Sequence, residues 1–235
     1  MRLDQAIAAR YPDISRRKAR ELLAAGRVLV NQRRVSVASR EVSDQDQIAV
    51  VAELPPVAVL TTGDDWLAVD KPAGMPTQPM RDRAQLSLEE ILRVEHKHIW
   101  LVHRLDTPAS GVVLFARTAP AAARLSRMFA SREVRKLYLA RVDPPIAEEI
   151  RIDTPLDGKD AITIVRPRDS NLAEVETQTG RTHQIRRHLS SIGHPIVGDA
   201  RYGSTVKAIR LMLHAWRLEH SQIGLIEAPA PPDFV

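Results

Sequence analysis

A chain of 235 residues, 44% hydrophobic and 27% charged, has room for one large domain or a small one plus a medium one, in the composition range of globular proteins. It has no cysteine, which excludes disulfides, thiol catalysis and thiolate metal sites; no apolar run approaches the ~18 residues of a membrane helix, and the opening Met1-Arg2-Leu3-Asp4 lacks a signal-peptide core, so no membrane and a cytoplasmic location are expected. The net charge of +5 is uneven: residues 1–52 carry 10 Lys/Arg against 6 Asp/Glu, the remainder is nearly neutral, and 28 of the 34 basic residues are Arg, as for a small phosphate-gripping module ahead of a neutral body.

Leu3, Ala6 and Ile7 recur at helical spacing until Tyr11-Pro12-Asp13 breaks the pattern. Ser15 is placed to cap a second helix, Arg16 to Ala25, with Gly26 as its stop. Ala19, Leu22 and Leu23 give that helix a core face, while Arg16, Arg17, Lys18, Arg20 and Arg27 make a basic surface. Short strands are expected at 28–30, 35–37 and 48–51, with Asn31 to Arg34 turning between the first two. This order of elements resembles the S4 RNA-binding domain, with Gln32 and Gln45 standing where that family usually has glycine. The resemblance implies an RNA-holding surface made of Arg16, Arg17, Lys18, Arg20 and Arg27, working through salt-dependent phosphate contacts.

Residues 53–60 read as a linker stiffened by Pro55-Pro56, which divides the chain into a small α/β module, 1–52, and a larger domain, 61–235. The larger domain opens on a strand at Trp66–Val69 that enters the turn Lys71-Pro72-Ala73-Gly74. An amphipathic helix follows near 86–94, with Leu88, Ile91 and Leu92 on one side. His96, His98 and His103 lie close in sequence, but no carboxylate stands at helical register with them, so no metal site is expected. Residues 103–111, His-Arg-Leu-Asp-Thr-Pro-Ala-Ser-Gly, form a punctuated loop that runs into the apolar segment 112–116. Asp106 on that loop is either a turn cap or a reactive carboxylate presented by rigid elements. A helix over 119–131, strands over 136–142, 150–152, 162–164, 172–175 and 211–218, a glycine-led basic helix within 179–189, and an irregular surface tail from Ala228 complete the pattern. Mixed short strands among helices make the class α+β.

Spacing carries the reading to a basic α+β protein with an acidic site. The motifs carry it further. Lys71-Pro72-Ala73-Gly74, His103-Arg104-Leu105-Asp106 with Ser110-Gly111, Lys136-Leu137-Tyr138, residues 180–186 (Gly-Arg-Thr-His-Gln-Ile-Arg), Gly198-Asp199 with Tyr202-Gly203, and Leu213-His214-Ala215 occur in the order found in the RluA-type pseudouridine synthases, which the larger domain resembles over nearly its whole length. Ala109 departs from the pattern, where Thr is usual. The resemblance implies a mixed, mainly antiparallel sheet and an isomerase that turns uridine into pseudouridine in structured RNA. Large-subunit ribosomal RNA is the preferred partner. Transfer RNA, or a binding-only ribosome-assembly role on the same scaffold, are the alternatives.

The chemistry suits the residue types. Pseudouridine formation breaks the N1–C1′ bond, turns the base and joins C5 to C1′, with no redox change and no group donor, so no cofactor is implied. It does need a positioned carboxylate, a role the resemblance gives to Asp106. A carboxylate enclosed in a pocket loses hydration, and a guanidinium beside it restores an opposite charge; the resemblance assigns this to Arg181. Tyr138 is expected to stack on the flipped base and Leu213 to wall the pocket. Arg104 either fills the vacated stack or contacts phosphate. His103, His183 and His214 are expected to serve packing or hydrogen-bonded support, and Arg186, Arg187 and His188 to lie on a helix facing RNA backbone or solvent. A monomer is expected.

Overall fold

The computed structural model describes residues 1–51, 54–80, 85–96 and 98–234. Ala52 and Glu53, at the expected start of the linker, lie outside the described residues. Two compact units are resolved: Met1–Pro56 with Met75–Ile99, and Val57–Gly74 with Trp100–Val235.

In the first unit, α1 (Leu3–Arg10) and α2 (Arg16–Ala24) pack on a three-stranded antiparallel sheet, β2-β1-β3, made of β1 (Val28–Val30), β2 (Arg33–Arg34) and β3 (Ile48–Val50). The Ser15 hydroxyl accepts the Lys18 N–H at 3.2 Å and caps α2, as its sequence implies. The second strand is Arg33–Arg34, two residues before the expected 35–37. Asn31 and Gln32 both take positive φ, 52° and 65°, so the hairpin closes in a two-residue turn and Arg33 already pairs with Val30. Gln32 thus adopts the left-handed backbone that glycine usually supplies. Gly26 has φ +65°, and a Cβ there would stand 2.7 Å from Leu86 Cδ2. That close approach accompanies α3 (Leu88–Glu95), whose Leu88, Ile91 and Leu92 are buried and whose Ser87–Glu90 capping box is complete. Residues 75–99 therefore group by their contacts with the first unit and not with the larger sheet.

The second unit is built on one mixed sheet. Its strands run β4 (Ala58–Thr62), β5 (Trp66–Lys71), β7 (Ser110–Ala116), β12 (Leu213–His220), β8 (Arg135–Arg141), β11 (Leu172–Thr177), β10 (Thr163–Asp169), β9 (Ile150–Ile152), with β6 (Trp100–Leu101) against β7 and β13 (Gly224–Glu227) against β12. Among the described residues β7–β12 is the parallel pair and the other pairings are antiparallel, so the sheet is mixed and mainly antiparallel as expected. Strand β7 is buried at all seven positions because both faces are covered, which is why residues 112–116 read as an unbroken apolar run. On one face, Ala121, Leu125 and Met128 of α4 (Ala119–Ala130) pack on Val112, Leu114 and Ala116; burying each larger side chain contributes about 1.5–3 kcal/mol. On the other face, which carries Tyr138, the side chains of Val165, Ala173 and Val175 cluster with Ile185 and Leu189 of α5 (Gln184–Ser191).

Two expectations change here. Residues 58–60, read as linker, are the start of β4, paired with β5 from Ala58↔Asp70. The tail is not simply surface: Ala228 is buried, and Phe234, in a short 3-10 turn, is 2% exposed in the core.

Candidate active site

The parallel junction of β7 and β12 forms the floor. His214 pairs with Ser110 and Ala215 with Gly111. Gly111 has φ +112°, and a Cβ on it would stand 2.2 Å from the Ala215 carbonyl oxygen, so only glycine admits the neighbouring backbone. The Ser110 hydroxyl lies 2.9 Å from His214 Nδ1 and accepts from Arg210 Nη1 at 3.2 Å. Two motifs far apart in sequence are thereby one structural unit beneath the loop that carries Asp106.

That loop is held from three sides. The Ala109 N–H donates to the Asp106 carbonyl at 3.1 Å, closing a turn, and the small Ala109 side chain is 2% exposed in the core. Lys71, fully buried, donates to the carbonyls of Pro72 and Thr107 at 3.0 and 3.2 Å. Burial brings its ammonium down to about 7, against the charges of Asp106 and Asp70. His103 stacks on Phe129 at 4.4 Å, and its Nε2 accepts the Leu114 N–H at 3.0 Å. Burial, with Lys136 nearby, takes His103 down to about 3, so it is a neutral acceptor tying the loop to β7.

Asp106 opens into a pocket lined by Arg104, Ala109, Tyr138, Thr177, His183, Arg186, Leu213 and neighbouring residues of the loop before α5. Tyr138 stands on β8 and Leu213 at the start of β12. Burial pushes the Tyr138 phenol up to about 12; a hydrogen bond with Thr177 opposes this and the Asp106 charge adds to it. At neutral pH the phenol keeps its proton and is a ring and a donor, not a base. Arg104 is exposed at the rim.

The guanidinium on Asp106 is not the expected one. Arg181 lines the pocket, but its Nε donates to the Asp160 carbonyl at 2.9 Å. Arg186, one turn into α5, donates from Nη1 to Asp106 Oδ2 at 3.4 Å and, through Nε and Nη2, to both oxygens of Asp199 at 2.7 and 2.8 Å. Far from facing RNA or solvent, it is 6% exposed, with Asp199 at 2%. The cause is local backbone. Gln184 accepts from Thr179 Oγ1 and the Arg181 N–H and donates to Ile162 O and Thr163 Oγ1, which wraps 179–183 around the start of α5. Arg181 thus sits before the helix and Arg186 points back from it. The Gly198-Asp199 motif in the sequence is the one signal that anticipates a buried acid needing such a partner.

His183 is a second residue the sequence reading set aside. It takes a left-handed backbone, φ 54° and ψ 31°, at the entry to α5, and its Nε2 is 3.8 Å from Asp106 Oδ1. His188, by contrast, bonds Thr163 Oγ1 and the Thr154 carbonyl and is structural.

Of the basic residues on the N-terminal module, Arg17 is 91% exposed and Lys18 is 56% exposed beside Glu21. Arg16 and Arg20 instead pair with Asp4, which is fully buried; burial raises its pKa, but hydrogen bonds from Arg20, Arg2 and Arg16 bring it down to about 2. Arg27 Nε donates to the Val51 carbonyl at 2.9 Å. A carboxylate in the first helix thus organises part of the basic surface, which composition does not reveal.

Residues 65–191 match the RNA pseudouridylate synthase family and residues 1–48 the S4 domain. Similar relatives include a ribosomal large subunit pseudouridine synthase D of Nitrosomonas europaea, 32% identical over all of this chain and 82% of that protein. The protein of the same name from Vibrio vulnificus is 31% identical over all of this chain and 89% of its own length. The fold is similar to that of human RNA pseudouridylate synthase domain containing 1, with a TM-score of 0.64 at 26% identity, covering 77% of this chain and 85% of that one. A mixed sheet with a polar pocket lined by four of the six sequence motifs, and family matches across both halves, lead to one conclusion: the chain belongs to the RluA-type RNA pseudouridine synthases and carries an S4 domain.

Proposed function

We propose that this enzyme isomerises uridine to pseudouridine in large-subunit ribosomal RNA, with Asp106 as the reacting carboxylate. The observation that carries the assignment is the Arg186–Asp106 contact inside a pocket that also presents Tyr138 and Leu213. A buried guanidinium, itself fixed by Asp199, keeps a charge beside Asp106 after a bound nucleotide excludes water. The target base leaves its stack and enters the pocket, with the Tyr138 ring on one side and Leu213 on the other. Asp106 provides the anionic oxygen beside the ribose as the N1–C1′ bond breaks. Once the base has turned and C5 has joined C1′, the proton leaves C5 and N1 carries one instead. Exposed Arg104 at the rim takes the space the base vacates. Arg181 serves RNA at the pocket mouth and not Asp106.

In this reading the sheet that begins with β4 at Ala58 belongs to the catalytic domain and the module built on α1, α2 and β1–β3 holds RNA. Arg17 and Lys18 contribute exposed charges beside Glu21; Arg16, Arg20 and Arg27 add a surface already shaped by Asp4 and Val51. Ribosomal RNA is favoured because the relatives found carry that substrate in their names. The working state is a cytoplasmic monomer. The test is pseudouridine mapping of total RNA from cells with and without the gene. Loss of one or a few sites in large-subunit RNA is expected; loss confined to transfer RNA, or an unchanged map, overturns the substrate assignment.

A further inference from the structure

His183, which lines the pocket, belongs to a polar pair that the reaction as described does not use. His183 Nδ1 lies 2.8 Å from the Tyr202 hydroxyl, and the two rings meet edge to face at 5.7 Å. On its other side, His183 Nε2 faces Asp106 Oδ1 at 3.8 Å. The histidine does not cap α5, since no capping bond is made by its side chain, yet it holds a left-handed backbone that non-glycine residues seldom adopt. A strained position whose side chain is aimed at a carboxylate in the pocket calls for a chemical reason.

We propose that His183 and Tyr202 are a positioning pair for Asp106, in which Tyr202 donates its hydroxyl proton to Nδ1, holds the imidazole as the Nε2–H tautomer and so turns an N–H toward the carboxylate. The choice of tautomer follows from the two contacts. With the proton on Nδ1, the Nε2 lone pair faces a carboxylate oxygen, which is repulsive. With the proton on Nε2, both contacts are attractive and the tyrosine proton is satisfied. At 3.8 Å the imidazole and Asp106 are in electrostatic contact only; a shortening of about 0.8 Å makes a hydrogen bond, and active-site contacts commonly tighten when substrate binds. The ring also keeps its place from below: the Tyr202 face carries Arg186 at 4.9 Å and Arg201 at 5.6 Å.

Burial favours the neutral imidazole, which is why a tautomer is at stake. Burial lowers its pKa and Arg186 of α5 and Arg201 of the 3-10 turn lower it further, against Asp106 of the loop and Asp199 before the turn. Arg187 of α5 is also within electrostatic range of Tyr202. A doubly protonated ring would satisfy both neighbours without help from Tyr202; a neutral one needs it.

The proposal rests on the Asp106 reading above, and the test separates the two. Wild type, Tyr202→Phe, His183→Gln and the double variant are compared in single-turnover conversion of an RNA substrate, alongside nitrogen NMR of enzyme labelled in histidine. Phe keeps the ring under Arg186 and removes only the hydroxyl. Tyr202→Phe is expected to lower kcat about tenfold with KM within about twofold, because the tautomer is released, on the scale of losing a hydrogen-bond partner that orients a working group. Gln places an amide N–H where Nε2–H stood and has no tautomer, so His183→Gln is expected to cost about threefold, and Tyr202→Phe on top of it less than about twofold. In the NMR arm, which needs no turnover, His183 is expected as the Nε2–H form in wild type and as a mixture in Tyr202→Phe. Equal cost of Tyr202→Phe in both backgrounds, no cost in either, or an Nδ1–H form in wild type each overturns the pairing. A failure of the Asp106 reading alone leaves the NMR result intact.

Discussion

Replacing Arg186 by Met tests both the site and its stability. The guanidinium makes two bonds to Asp199, at 2.7 and 2.8 Å, and one to Asp106 at 3.4 Å, and its side chain is 7% exposed with Asp199 at 1%. Met keeps an unbranched apolar stem but ends short of the guanidinium position, and it strands a buried carboxylate. Breaking a buried pair from one side costs about 3–5 kcal/mol, chiefly because the remaining charge is uncompensated. Losing the charge beside Asp106 is expected to lower kcat by at least about 100-fold. Urea unfolding followed by circular dichroism reads the first effect and single-turnover conversion reads the second. The double variant Arg186→Met with Asp199→Asn removes the stranded charge, so it is expected to recover about half or more of the stability and none of the turnover. Arg181→Met, which loses one bond to a backbone carbonyl, is expected to change stability by less than about 0.5 kcal/mol and to act mainly on KM. If Arg181→Met abolishes turnover while Arg186→Met leaves it within tenfold, the assignment of the guanidinium is wrong.

Asp106→Asn is expected to abolish pseudouridine formation while RNA affinity, measured by filter binding, stays within about threefold, since one neutralised acid in a basic setting does not weaken phosphate contacts; persistent turnover removes Asp106 from its role. Because burial holds His103 near 3, the unfolded chain takes up a proton at this side chain below about 6.5 and the folded one does not, so its contribution is intact above 6.5 and is lost as pH falls toward 3, by as much as about 4–5 kcal/mol. His103→Gln, whose amide oxygen can accept the Leu114 N–H without titrating, is expected to flatten that acid limb in urea melts at stepped pH; an unchanged limb counts against it. Arg17→Ala with Lys18→Ala is expected to raise KM and reduce the salt slope of RNA binding by about two, with the melting curve unmoved. Arg16 and Arg20 are unsuitable for that test because removing either weakens the compensation of the buried Asp4.

What the sequence determined by itself is what local chemistry encodes. The five apolar residues 112–116 of β7, the Ser15 cap and Gly26 stop of α2, and the amphipathic spacing of α3 and α4 each specify an element within a few residues. The ordered motifs placed Asp106, Tyr138 and Leu213 in one pocket, where the fold brings them together. The tertiary structure decided what depends on distant partners. Strand β4 exists because β5 offers it a ladder, and β13 because β12 does; neither segment has an alternation of its own strong enough to announce it. The choice between Arg181 and Arg186 rests on where α5 begins, and that start is set by Gln184 bonding across to Thr163 and by the left-handed residue His183. Both arginines look alike in sequence, five positions apart in one motif. Only the position of Asp199, brought 2.7 Å from Arg186 by a separate loop, makes one of them buried and fixed and leaves the other at the pocket mouth. A guanidinium's role follows from which carboxylates surround it in space, and that is a nonlocal property that no spacing along the chain records.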